Sequence, residues 1–390
     1  MKLLCTQSQK RSWFQKLIDG YAWACSNVRL LVTFLLLYTL LIFMIGRHTN
    51  QALCYFAGTR HLCGIPYLII GLLGMLTLIH EADHVWKYKW SKLPIGILSI
   101  FFIYYCMIDS LWWITETVFC LTSEVSACGT LISAIASVVL VVMGYWNTKH
   151  IRTVSYHIPL GQAGKAFRIA LISDLHLGAF VGMDHVKRIV AAVNDLQADL
   201  IIISGDMIDD DNSVLSDPDE LKRISCELQQ LRSKYGAVLI LGNHDPDAAD
   251  PVFLSFLDRC HIRLLHNQSM ELPAVNVICI SDPTRNKRIP IGTLLADRNH
   301  TKPTIVVDHD PRYMDAAVER DADLVLSGHT HAGQFFPASI LTRIALGKQR
   351  FYGHHIIGKT HTVVTSGAGF FNLPVRLGTD NEVVELTIEL

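Results

Sequence analysis

Four long apolar blocks crowd the first 150 residues: Leu30–Ile45, Gly64–Ile79, Pro94–Ile114 and Gly129–Tyr145. A bilayer is crossed by about 20 mostly apolar residues, with a range of about 17 to 25. Inside it only helices and closed barrels satisfy the backbone. Nothing amphipathic surrounds the blocks, so buried helices of a soluble domain fit them poorly. A cleaved signal peptide does not account for the blocks that follow the first. Residues 1–150 are therefore expected to form an all-α membrane unit of about four transmembrane helices.

Lys and Arg are retained on the cytoplasmic side. Lys2, Lys10, Arg11, Lys16 and Arg29 precede the first block, and Lys87, Lys89 and Lys92 follow the second. The first connecting loop has only Arg47 and Arg60, and the third, near Thr115–Glu124, has neither type. Both termini are thus expected in the cytoplasm. Cys54 and Cys63 flank the first outer loop and Cys120 and Cys128 the second, where they read equally as disulfides of an oxidising compartment or as apolar fillers. "HEADH", His80 to His84, fits a zinc-protease helix pattern, but it sits where polar residues are expected anyway and carries no third ligand. Asp109 lies inside the third block. A carboxyl there is costly and should face the bundle or a partner, as packing glue rather than transport machinery.

From about Ile151 the period changes. Short β-rich runs alternate with helical segments: "FRIALIS", "ADLIIIS", "AVLIL", "VNVICIS", "TIVVD", "ADLVLS" and "TVVTS". Such alternation predicts an α/β layered fold with ligands outside the carboxyl ends of the strands. The polar stretch "WNTKHIRTVSYHIPLGQAGK" marks the boundary, so residues 151–390 form the second domain. A formal net charge of −1 gives no support to nucleic-acid binding.

Five of those strand ends carry His, Asp or Asn: Asp174 and His176; Asp206; Asn243, His244 and Asp245; His309; and His329 with His331 in "GHTH". One such residue is ordinarily a turn. Five in the same topological position read as metal ligands. Imidazole suits zinc, iron and manganese, and carboxylate or carbonyl oxygen suits harder ions. Asp206, after a glycine, is the candidate bridge between two cations, and Asn243 can ligate without adding charge. Cys226, Cys260 and Cys279 lack zinc-like spacing.

In their order and placement after strands, D-x-H, G-D-x-x-D, G-N-H-D, a later His and G-H-x-H resemble the calcineurin-like metallophosphoesterases, from about Phe167 onward. The resemblance implies an αββα sandwich-like domain. It implies one cation held by Asp174, His176, Asp206 and His331, and another by Asp206, Asn243, His309 and His329. It also implies His244 and Asp206 as catalytic residues, with His244 beside the leaving group. The cofactor would be two divalent ions, Mn²⁺ ahead of Fe or Zn²⁺. The reaction would be in-line attack of metal-bound hydroxide on a phosphodiester or pyrophosphate. "GHTHAGQ" and "SGAGFFNLPVRLG" look like the bacterial branch of membrane-associated phosphodiesterases and UDP-2,3-diacylglucosamine pyrophosphatases. Known members often carry only a short anchor or an export signal, so four spans depart from that pattern.

The chain is thus expected to be an integral protein of a bacterial inner membrane, its catalytic domain cytoplasmic and its phosphorylated substrate drawn from a class that includes lipid-linked molecules. Oligomeric state is not readable. The alternatives are a membrane receptor or scaffold with a vestigial phosphoesterase domain, and a membrane metalloprotease built on residues 80–84. Asp209, Asp210 and Asp211 read as a solvated acidic loop or as outer hydrogen-bond partners of the ligands. Arg285, Lys287 and Arg288 form a basic loop, and Gly333 and Gln334 shape a turn. His354 and His355 read as surface residues. "GQFFPASILTRIALG", Gly333 to Gly347, reads equally as core packing or as a lipid-facing lip.

Overall fold

The computed structural model describes residues 36–59, 62, 64–80, 89–161, 164, 166–209, 213–284, 287–296 and 298–390. They divide into two compact units, the first within residues 1–85 and 94–139 and the second within 86–93 and 140–390.

The first unit is helical: α1 (residues 36–56), α2 (Ile65–His80), α3 (Lys89–Phe119) and the greater part of α4 (Ser123–Asn147). Among the described residues, two of the four expected spans are long and apolar enough to cross a bilayer, Leu93–Phe119 with 27 residues and Ser123–Asn147 with 25. The apolar part of α2, Ile65–Met75, is shorter. The expected first span begins outside the described residues, as do the basic residues that precede it and Glu81 to His84 of the "HEADH" pattern. Leu111, Val118, Ile132 and Ile135 point outward, and a Cβ on Gly129 would fall 1.7 Å from Trp112 Cε2, so α3 and α4 approach closely there. Cys54, Cys120 and Cys128 are free thiols, and Cys63 lies outside the described residues.

The second unit is built on twelve strands: β1 (Ile151–Pro159), β2 (Ala166–Ile172), β3 (Leu200–Ile203), β4 (Ala237–Leu239), β5 (Ile262–Leu264), β6 (Gln268–Glu271), β7 (Asn276–Ile280), β8 (Thr304–Asp308), β9 (Leu324–Ser327), β10 (Gly353–Ile357), β11 (Thr360–Val364) and β12 (Asn381–Glu389). They form two six-stranded mixed sheets, ordered β1-β12-β2-β3-β4-β5 and β10-β11-β9-β8-β7-β6. In β2 the period of two splits the chain between cores. Ile169 and Leu171 face the second sheet, meeting Val277, Val307 and Leu326. Ala170 and Ile172 face helices Met183–Asp195, Pro218–Leu228 and Pro251–Arg259.

Two of those helices start at aspartate caps. Asp217 and Asp250 cap the second and third, each side chain accepting from two backbone amides, with proline at the first helical position. Phe253 and Phe256 are completely buried, each worth about 1.5–3 kcal/mol on removal from water. The outer face of the second sheet, with Ile278, Ile280 and Val325, packs Ile291, Leu295 and Met314. The layers therefore run helix, sheet, sheet, helix. Parallel strands β2, β3 and β4 leave their carboxyl ends side by side, as do β8 and β9.

Gly205, just past β3, has φ +100°, and a Cβ there would lie 2.6 Å from His309 Nδ1 and 2.9 Å from the backbone of Gly242. Three strand-end loops meet at this point, leaving no room for a methyl group. Gly205→Ala should cost about 1–3 kcal/mol of stability, from backbone strain and displacement of His309. Thermal unfolding of the full chain reads this, and a wild-type midpoint would contradict the close approach.

Candidate metal centre

Every expected site residue lies on a loop at a strand's carboxyl end: Asp174 and His176 after β2, Asp206 after β3, Asn243 and His244 after β4, His309 after β8, His329 and His331 after β9. Asp174, His176, Asp206, His329 and His331 all have φ between 47° and 70°. A non-glycine residue in that region is strained, and it persists only where the surroundings over-determine it.

The side chains gather into two adjoining groups. Asp174, His176 and His331 form one, and Asp206, His309 and His329 the other. In the first, His176 Nε2 lies 3.0 Å from His331 Nε2, which is 3.6 Å from Asp174 Oδ1. In the second, His309 Nε2 lies 3.0 Å from Asp206 Oδ2 and 3.2 Å from Asn243 Oδ1, with His329 Nδ1 2.8 Å from the same Asn243 oxygen. Asp206 Oδ2 also lies 3.9 Å from His176 Nε2, so this carboxylate adjoins both groups.

The hydrogen-bond inventory fits cations. His309 Nδ1 donates to Ser204 O at 2.7 Å, so in the neutral ring Nε2 presents its lone pair to two oxygen acceptors. Two imidazole nitrogens and a carboxylate likewise converge in the first group. A positive charge must sit among such donors, and His309 takes that part as an imidazolium. Burial opposes its charged form, but the Asp206 carboxylate outweighs burial and holds the His309 pKa well above the ordinary value. Asp206 is correspondingly held below the usual range, the His309 charge overcoming burial. His331 is pushed well down by burial and by neighbouring His176 and Arg376, which favours the neutral ring that metal ligation would require.

Three residues without an expected role support the site. The buried Asp245 carboxylate accepts from the amides of Gly242, Asp206, Met207 and Ile208 at 2.8–3.0 Å, tying the β3 and β4 loops together. Arg376, completely buried, donates from Nη1 to His331 O at 2.9 Å and from Nη2 to Ser366 O at 2.7 Å. The Phe371 ring packs on His176 and His244, at 5.3 and 4.9 Å between centroids. "GNHD" displayed Asp245, but nothing local indicated four amides waiting for it. Arg376 and Phe371 stood in a quoted stretch whose individual residues carried no signal.

The half-buried His244 sits at the rim, its amide donating to Asp206 Oδ1 at 2.9 Å and its ring 5.1 Å from that of His176. Asp209 Oδ1 lies 3.6 Å from His176 Nδ1, on the side of the ring away from His331, while Asp210 and Asp211 lie outside the described residues. Arg288 of the basic loop is held by the buried Asp308 and stacks 4.5 Å over Tyr313, and Arg285 lies outside the described residues. Gln334 shapes the turn after His331, exchanging hydrogen bonds with the Phe371 backbone. His354 stacks on His361 at 5.1 Å, away from the centre.

A family model described as calcineurin-like phosphoesterase matches residues 167–333. A metallophosphoesterase of Helicobacter pylori is 34% identical over 239 residues, covering 59% of this chain and 62% of that protein. A Danio rerio protein named transmembrane protein with metallophosphoesterase domain is 31% identical over 281 residues, covering 67% of this chain and 62% of its own length. A metallophosphoesterase of Aquifex aeolicus is 28% identical over 262 residues, covering 65% of this chain and 97% of that protein. The chain thus spans about three fifths of the first two relatives.

Asp245→Ala would strip one acceptor from four amides packed under the site. A loss of about 2–5 kcal/mol is expected, with weaker Mn²⁺ retention because Asp206 loses its backbone anchor. Unfolding with metal analysis checks both, and unchanged stability would contradict the anchoring role.

Proposed function

The chain carries a calcineurin-like metallophosphoesterase domain, and from that premise we propose that it is a membrane-anchored, dinuclear-metal phosphoesterase acting on a phosphodiester or pyrophosphate. One observation carries the reading: Asp206 Oδ2 adjoins both donor groups, 3.0 Å from His309 Nε2 and 3.9 Å from His176 Nε2. A carboxylate so placed is suited to bridge two cations. Asp174, His176, Asp206 and His331 would hold one ion, and Asp206, Asn243, His309 and His329 the other. When bound, two such ions lower the pKa of water and neutralise developing phosphoryl charge. The mixed His, Asp and Asn donors favour Mn²⁺ ahead of iron or zinc.

The remaining work falls to the chain. His244, at the rim and outside both donor groups, gives a hydron to the departing oxygen. Asp206 and Asn243 keep their oxygens aimed inward, His309 being locked by the Ser204 carbonyl. Phe371 walls one side of the site and excludes water from the ligand rings.

The substrate is proposed to be lipid-linked. The helix Ala338–Leu346 follows His331 closely and buries none of its residues. Ile340, Leu341 and Ile344 are 48%, 66% and 74% exposed, which favours the lipid-facing lip over core packing. The apolar α3 and α4 support membrane anchoring, and the lysine and arginine distribution supports a cytoplasmic catalytic domain.

His244→Ala should keep both cations yet lose about 10²–10⁴ in rate, less for a nitrophenyl ester whose leaving group needs no hydron. Asp206→Asn should lose metal and activity together. Metal loss in the His244 variant, or near-normal turnover in the Asp206 variant, would overturn these roles. Replacing Leu341 and Ile344 with serine should cut hydrolysis of a lipid-linked pyrophosphate in vesicles and spare a soluble chromogenic diester; equal rates on both in the variant and the wild type would remove the lipid reading.

A further inference from the structure

The helical unit holds a buried cluster that the phosphoesterase reading leaves unused. His48 of α1 lies between two carboxylates of α3, with Nδ1 2.9 Å from Asp109 Oδ2 and Nε2 2.9 Å from Glu116 Oε2. Hydroxyls of α4 complete the surround. Ser126 Oγ donates to Glu116 Oε2 at 2.7 Å, and Thr130 Oγ1 lies 3.3 Å from the ring. Asp109 is fully buried and His48 nearly so. The neighbouring packing is apolar, with Ile45, Ile70, Phe102, Tyr105 and Cys106.

Charge accounting makes this arrangement incomplete. A neutral imidazole has one N–H, so one of its nitrogens would face a carboxylate lone pair at 2.9 Å. With both carboxyls ionised the two contacts require an imidazolium, which leaves the three groups with a net charge of −1. Among the described residues no lysine or arginine pairs with either carboxylate. The titratable neighbours of Asp109 on its own helix are Tyr105 and Cys106, and Tyr105 is engaged with Thr49 of α1. On α4, Glu124 and Cys128 face Tyr55 instead. Asp109 Oδ1 is buried with no hydrogen-bond partner. An uncompensated negative charge in such surroundings is costly.

The other end of the cluster is open. Glu116 and Ser126 line a cavity of about 360 Å³ together with Asn50, Gln51, Thr59 and Ser123. The polar chain thus runs from the cavity wall at Glu116, through His48, to the closed end at Asp109.

We propose that His48, Asp109 and Glu116 form a hydron-binding site that exchanges with the cavity. One hydron leaves a hydronium ion in the cavity, releasing water, and forms one O–H bond within the cluster. The net charge of the three groups goes from −1 to zero, and passage along the imidazole lets Asp109 Oδ1 become a hydroxyl. The helical unit is then a hydron-responsive element as well as a candidate anchor. The site stands independently of the phosphoesterase reading.

The test is infrared difference spectroscopy on the full chain in lipid vesicles, between mildly alkaline and mildly acidic buffer. Acidification should add one carboxylic-acid carbonyl band that shifts in heavy water. Asp109→Asn and Glu116→Gln, each nearly isosteric, should each abolish it, because imidazolium plus one carboxylate is already neutral. An identical elution profile and unfolding midpoint in each variant establish that the fold is retained. No band in the wild type, or a band that persists in either variant, overturns the proposal. A band suppressed by sodium or potassium at fixed pH also overturns it, by assigning the site to a metal cation.

Discussion

The sharing of one buried carboxylate by two groups of imidazoles is the constraint on which the second unit's architecture depends. Asp206 must reach both groups at once, so the loops after β2, β3, β4, β8 and β9 have to end within a few ångströms of each other. That requirement explains the close approach at Gly205, the four amides on Asp245, and the left-handed φ of Asp174, His176, Asp206, His329 and His331. These residues are strained one by one and supported together. The parallel strands and their bonded amides hold what no loop could hold alone.

The candidate centre was legible because each proposed ligand stands directly after a short β-rich run, and strand ends share an edge in an α/β sheet. Asp174, His176, Asp206, Asn243, His309, His329 and His331 could be named in that way, and the structure brings them together. Supporting residues were not legible. Arg376 is a single arginine far along the chain from His331, and only folding takes it behind that ring. Asp245 resembles an ordinary turn residue until its four amides are seen. The region Ala338–Leu346 had apolar spacing that serves a core or an exposed lip equally, since periodicity identifies a face and not what covers it.

The helical unit was read less completely. Block length identified α3 and α4, whereas the apolar part of α2 falls short of a full span. Asp109 was expected to face the bundle, and it does. Its partner His48 is 61 residues earlier, beyond any local pattern, and a second carboxylate on the far side of the ring could not be foreseen. Packing alone would be served by one partner for the imidazole. Two partners make the hydron count the governing quantity.

Anomalous diffraction from crystals of the full chain grown with Mn²⁺ tests the central claim most directly. Two peaks about 3.5–4 Å apart are predicted, both within ligand distance of Asp206, one also meeting Asp174, His176 and His331 and the other Asn243, His309 and His329. A single peak, or two peaks that do not share Asp206, would contradict the account.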